Sequence, residues 1–219
     1  VEWGQRPHLA YTQKLFNILN INMGLYKTLS TPLLLFYSLP LFGFDETGIV
    51  DEELVKKQLI KGVGKLELAG CNLVIVACNF HEMQLAVKVP ILNIIKETKK
   101  RVIEFGHKKV GLFASESTSK LKLYQKRFID SNIEVIAPNK DQQKILNRVI
   151  ENVMGGNQKT EDIIVLKDVA RDYIEQGAEA IVVSCTEIPL AINQTHTDIK
   201  LFDTIEIIVQ CAVDYSLNY

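Results

Sequence analysis

The chain has 219 residues, 47% of them apolar, with 25 basic and 26 acidic side chains and a formal net charge of -1. This is the make-up of a soluble globular protein and excludes the disordered and fibrous classes. Charges of both signs are scattered along the chain, so there is no electrostatic footprint for nucleic acid or an anionic membrane surface.

Val1–Gly4 lacks the charged-then-apolar layout of a signal peptide. Leu33–Tyr37 reads as the first strand. It lies in the most apolar stretch, Thr31–Phe44, which Pro32, Pro40 and Gly43 interrupt. That stretch falls short of the roughly 18 residues a bilayer span needs, so no membrane partner is expected. Helical periodicity follows over Glu52–Ala69, then a strand at Leu73–Ala77 and a short one at Ile91–Asn93. Lys96–Phe105 is a helix, Val110–Ala114 a strand, Ser119–Asp130 a helix and Glu134–Ile136 a strand. Two more helices, Lys140–Met154 and Glu161–Gln176, lead to strands at Ala180–Ser184 and Lys200–Phe202 and a last helix at Thr204–Leu217. Most strands are apolar on both faces. With the β-α alternation, this predicts parallel sheets covered by helices, with ligands bound beyond the carboxyl ends of the strands.

One segment is repeated. Leu66–Asn79 (LELAGCNLVIVACN) lays over Tyr173–Thr186 (YIEQGAEAIVVSCT) without a gap, and each copy reads helix, glycine, strand, cysteine. Gly70 stands eight residues before Cys78, and Gly177 eight before Cys185. The repeat predicts an α/β fold of two similar lobes, each a parallel sheet flanked by helices. The lobes are expected to be related by pseudo-twofold symmetry, with the active site in the cleft between them. The first lobe is expected over residues 1–98 plus 204–219 and the second over 99–203.

The four cysteines, Cys71, Cys78, Cys185 and Cys211, are too few and too widely spaced for a disulfide scaffold and form no CxxC pair, which points to a reducing, cytoplasmic compartment. Cys78 and Cys185 each close an apolar strand ahead of a helical turn. Backbone N–H groups converge at such a junction and stabilise a carboxylate or a thiolate. A lone cysteine there is readily explained as a small packing residue. Two at matching positions of a repeat favour chemistry. Cys71 and Cys211 are expected to be packing residues. The histidines, His8, His81, His107 and His196, share no ligand spacing, so no metal site is expected. Ser115, Ser117 and Thr118 lie between a strand and a helix and offer hydroxyls and free N–H groups to an anion, or serve as an ordinary cap. GxSxG, Walker and GxGxxG patterns are absent from the sequence.

These motifs resemble the aspartate/glutamate racemase superfamily, cofactor-independent racemases that use two cysteines. Cys78–Asn79 in VIVACN is similar to the family's first cysteine motif, and Cys185–Glu187 in VVSCTEIPL to its second, GCTE. Lys109–Tyr124 is similar to the family's KVGLLAT-x-GT stretch, and Leu201–Thr204 to its terminal VFD motif. The resemblance implies an amino-acid racemase without pyridoxal phosphate or any other cofactor, acting on a small-molecule amino acid, and it suggests a homodimer. It implies Cys78 and Cys185 as catalytic thiols and Asn79, Ser117, Thr118 and Thr186 as substrate contacts, with Glu187 ordering the Cys185 loop.

The family's first motif runs Cys-Asn-Thr-x-His, and here Phe80 and Glu82 replace the threonine and histidine. They are expected to shape specificity and to leave little preference for aspartate, unless Lys120, Lys122 or Arg6 folds into the cleft. Family members also begin with a strand and a glycine-rich loop ahead of a segment like Glu2–Gly4, so a preceding strand is expected before Val1. A decarboxylase or cis–trans isomerase of small carboxylic acids, and a non-catalytic amino-acid-binding protein, are the alternative readings.

Overall fold

The computed structural model describes residues 35–45, 48–76 and 87–217. The first helix among these residues, α1 (Glu52–Leu68), starts at Asp51, whose side chain accepts from the Leu54 N–H. Leu35–Tyr37, expected as strand, join no sheet. The segment docks on α1 instead: Lys65 Nζ donates to Tyr37 Oη at 2.7 Å, and a Cβ on Gly62 would stand 2.9 Å from Leu39 Cδ2. The Gln58 amide bonds both the N–H and the C=O of Phe42, at 3.0 and 2.8 Å, meeting backbone groups that a strand partner would otherwise meet. A two-residue antiparallel pair, β1 (Phe44–Asp45) and β2 (Gly48–Ile49), follows.

The duplicated unit is visible in the backbone. After α1, Gly70 takes a φ of +90°, and its N–H and that of Cys71 donate to the carbonyls of Glu67 and Leu66, both at 3.0 Å. In the second copy α6 (Thr160–Glu175) is followed by Gly177, also at +90°, and the same two bonds run to Ile174 and Tyr173, at 2.8 and 2.9 Å. Only glycine reaches this left-handed cap without a Cβ penalty, which is why the helix-ending glycines align in the sequence. Next come parallel pairs: β3 (Val74–Ile75) with β4 (Ile91–Leu92), and β7 (Ala180–Val183) with β8 (Leu201–Asp203). Val74 donates to the Pro90 carbonyl and the aligned Ile181 to that of Lys200, at 3.0 and 2.9 Å. The likeness extends past the aligned segment. Asn93 caps α2 (Ile94–Glu104) by accepting from Lys96 N–H, and Asp203 caps α8 (Thr204–Leu217) by accepting from Ile205 and Glu206 N–H.

β7 and β8 belong to a four-stranded parallel sheet of order β6-β5-β7-β8, with β5 at Lys109–Phe113 and β6 at Glu134–Ile136. Side chains alternate across it. Val110, Leu112, Ala180 and Val182 face α2, α8 and α4 (Leu123–Phe128), where Ile95, Val102, Tyr124, Phe128 and Ile208 are fully buried. Phe113, Ile181 and Val183 face α5 (Lys140–Met154) and α6, packing on Leu146, Val149, Leu166 and Tyr173. Helices thus cover both faces, as the two-sided apolar strands require. The α/β class of parallel sheets flanked by helices is the one expected.

The helix expected at Ser119–Asp130 is instead two helices, α3 (Glu116–Lys120) and α4, separated by Lys122 in the left-handed region at φ +53°. A single helix would not present both Thr118 and the Leu123–Tyr124 pair to the interior, whereas the break leaves Leu121 exposed and buries all three.

At the opposite end of the sheet, Glu179 accepts from the N–H groups of Lys108 and Lys109. Those bonds, with His107 nearby as a smaller influence, hold its carboxyl below the ordinary value of 4.5. A depressed folded value contributes stability above the unfolded carboxylate range, and that contribution is lost as pH falls through the folded value. Glu179→Gln is therefore expected to lower the urea midpoint more at pH 7 than near pH 3. Equal midpoint losses at both pH values would contradict this.

Candidate active site

The carboxyl ends of β5 and β7 lie side by side, with Phe113 opposite Val183. The next residue, Ser184, donates to the Phe113 carbonyl through its N–H at 2.8 Å and its Oγ at 2.9 Å. Thr204 Oγ1 donates to the Val183 carbonyl at 3.1 Å. Both hydroxyls are buried and fasten the strand ends together. Sequence reasoning singles out neither as a site residue. The available signal is a hydroxyl closing each of two apolar strands.

Cys185 follows this fastening, 9% exposed and packed in the same cluster as Phe113 and Ile188. Its Sγ donates to Glu187 Oε2 at 2.9 Å, and Thr186 Oγ1 donates to the same oxygen at 2.7 Å. The chain then enters α7 (Ile188–Ala191), with Pro189 in its first turn, as the expected helical turn requires. The shared Glu187 oxygen ties the Cys185 and Thr186 side chains together and fixes the direction of the S–H bond.

Across from this loop, Ser115 caps α3 with extended backbone but without a side-chain cap bond. Its Oγ donates to Thr118 Oγ1 at 3.1 Å and lies 3.2 Å from Ser117 Oγ. Thr118 is 3% exposed. The structure therefore holds Ser117 and Thr118 in the first turn of a helix at the end of β5, next to the strand that carries Cys185.

Cys78, Asn79, Phe80 and Glu82 lie outside the described residues, as do His81 and Arg6. Of the other cations considered, Lys120 is paired with Glu116 at 2.7 Å, and Lys122 is exposed at the helix break. Cys71 packs beside Val63, Val74 and Val89. Cys211 packs against the core beneath α8, where burial, and then the Glu97 carboxylate, push its thiol up and away from the thiolate form. Among the described residues no group of three or more His, Cys, Asp or Glu could hold a metal ion, and no helix is long and apolar enough to cross a membrane.

Comparison with known proteins gives this arrangement relatives. The chain is similar to the broad specificity amino-acid racemase RacX of Bacillus subtilis (strain 168), at 28% identity over 96% of this chain and 90% of that protein. It is similar to the crystal structure of an aspartate racemase homologue from Pyrococcus horikoshii OT3, with 28% identity, 95% of this chain and 94% of that one covered, and a TM-score of 0.76. The Picrophilus torridus aspartate racemase shares the fold at 17% identity, with a TM-score of 0.68 over 98% of this chain and 91% of that one. The family model described as Asp/Glu/Hydantoin racemase matches residues 20–212. The chain belongs to the Asp/Glu/hydantoin racemase family.

Proposed function

We propose that the protein is an amino-acid racemase that needs no pyridoxal phosphate and moves the α-proton between two thiols, Cys78 and Cys185. The observation that carries this reading is Cys185: a buried thiol at the end of a parallel strand, directed onto a carboxylate, in the second copy of a unit whose first copy carries Cys78 at the matching position. In one direction the Cys78 thiolate takes the α-proton and the Cys185 thiol delivers a proton to the opposite face. Hydrogen bonds to the substrate carboxylate from Asn79, Ser117, Thr118 and Thr186 hold the carbanion-like intermediate. In the other direction the roles exchange: Cys185, as the thiolate, takes the α-proton and Cys78, as the thiol, delivers one to the opposite face. Glu187 Oε2, 2.9 Å from Sγ, accepts from Cys185 and from Thr186 Oγ1 and so orders the Cys185 loop. The protein acts as a homodimer in this reading.

The substrate is a neutral or basic amino acid at least as well as aspartate. Lys120 is already neutralised by Glu116, and Phe80 and Glu82 stand where the family motif has threonine and histidine. The broad specificity in the name of the Bacillus subtilis relative agrees with this. Incubation with single L-amino acids, followed by chiral chromatography, is expected to show D-enantiomer from several neutral or basic substrates. Aspartate exceeding all of them in kcat/KM would refute the preference. Carbon dioxide release would favour the decarboxylase reading, and binding heat without turnover the binding-protein reading.

Glu187→Gln tests this ordering role. The loss of a charge-assisted acceptor is expected to slow racemisation about ten- to hundredfold. The melting temperature is expected to stay within a few degrees of wild type, because the amide oxygen of the substituted side chain still accepts from Thr186. Unchanged racemisation would show that Glu187 does not position Cys185.

A further inference from the structure

A line of hydrogen bonds runs from α5 to the end of β5. Gln143 Nε2 donates to the Ala114 carbonyl at 3.0 Å and to Asn147 Oδ1 at 2.9 Å. Asn147 Nδ2 donates to Glu116 Oε2 at 3.1 Å, and Lys120 holds the other Glu116 oxygen at 2.7 Å. The hydrogen bonds to Lys120 and Asn147 hold the Glu116 carboxyl below its ordinary range. Gln143 and Asn147 are one turn apart on α5, and Glu116 and Lys120 one turn apart on α3, so two helical i,i+4 pairs meet. The line grips Ser115 on both sides, by the carbonyl before it and the side chain after it. Ser115 Oγ is in turn the donor to Thr118 and the neighbour of Ser117.

The arrangement has a cost in stability. Among the described residues, Gln143 Oε1 is buried with no hydrogen-bond partner. A buried orphan acceptor is unfavourable, and one retained in a folded protein calls for an explanation beyond packing. The adjacent Gln142 does the ordinary work of a capping box with Asn139, so Gln143 is not needed to start the helix.

We propose that Gln143, acting with Asn147 through Ala114 and Glu116, is a positioning residue that holds the Ser115–Thr118 hydroxyls in place at the end of β5. The proposal rests on the reading of those hydroxyls as substrate contacts given above. Gln143→Leu removes the orphan acceptor but also the donor to the Ala114 carbonyl and Asn147 Oδ1, so a modest loss of stability is expected beside the loss of the brace on the hydroxyls.

The test compares wild type, Gln143→Leu, Asn147→Leu and the double variant, with the panel amino acid that the wild type racemises. Each single variant is expected to raise KM about five- to tenfold, with kcat changed less and the melting temperature within a few degrees of wild type. The double variant is expected to be little worse than either single one, because both break the same line. Amide hydrogen exchange at residues 115–119 is expected to quicken in all three. Unchanged kinetic constants, unchanged exchange at these amides, or losses that merely follow a fall in melting temperature would overturn the proposal. A wild type that racemises nothing in the panel would instead overturn the reading of the site. The exchange rates at residues 115–119 would still decide whether the line braces that segment.

Discussion

Cys185→Ala is expected to lower racemisation by about two to four orders of magnitude, the usual contribution of a positioned acid–base group. The substitution is mild as a packing change. It deletes one sulfur from a residue at the edge of its cluster, and the bond from Thr186 to Glu187 remains. Melting is therefore expected within a few degrees of wild type, and the activity loss is separable from unfolding. Cys78→Ala is expected to match it, because inversion needs a base on one face of the α-carbon and an acid on the other. Cys71→Ala and Cys211→Ala, which remove packing thiols, should stay active. Chiral chromatography of each variant reads the outcome. Near wild-type racemisation in either Cys185→Ala or Cys78→Ala would show that the substituted cysteine is not a base.

Gly111→Ala is expected to be the most destabilising small change in the four-stranded sheet. Gly111 lies within β5, and a Cβ there would overlap Tyr173 Cδ2 and stand 2.7 Å from its Cγ and 2.8 Å from Ile181 Cδ1. The Tyr173 ring cannot retreat easily. It is fully buried, its hydroxyl donates to the Leu112 carbonyl at 3.2 Å, and it packs on Phe113 with centroids 6.0 Å apart. Overpacking of this kind costs about 1–3 kcal/mol, which for a chain of this size lowers the melting temperature by roughly 3–10 °C. Thermal unfolding followed by circular dichroism measures it, and an unchanged melting temperature would contradict the expectation. A Gly111→Ala/Tyr173→Leu double variant should fall short of the sum of the two single losses, since the clash and its partner are removed together. Because β5 ends at the Ser115–Thr118 turn, a shift in its register is expected to impair activity as well.

Much of this fold is written locally. A glycine at a helix end, a two-sided apolar strand and an Asn or Asp ahead of a helix each state their conformation within a few residues. For that reason the repeat, the parallel sheets and the Cys185 junction are legible in the amino-acid sequence. The Leu201–Thr204 motif, similar to a family signature, acquires a physical role as the strand end and cap of α8.

Other features depend on residues far apart in the chain, and no periodicity carries them. Leu35–Tyr37 have strand composition, yet they pack on α1 because Lys65 and Gly62 receive them. The break at Lys122 answers a demand for two buried faces that propensity does not register. Gly111 reads as an ordinary weak point in a strand until Tyr173 is seen to fill the space above it. Gln143 and Gln142 are the same residue type at adjacent positions; only the end of β5 gives one of them a carbonyl to hold, and only Asn139 gives the other a cap. Local conformational preference is a property of the sequence alone. The partner that a side chain meets across 30 or 60 residues is set by how the layers pack, and there the tertiary structure decided.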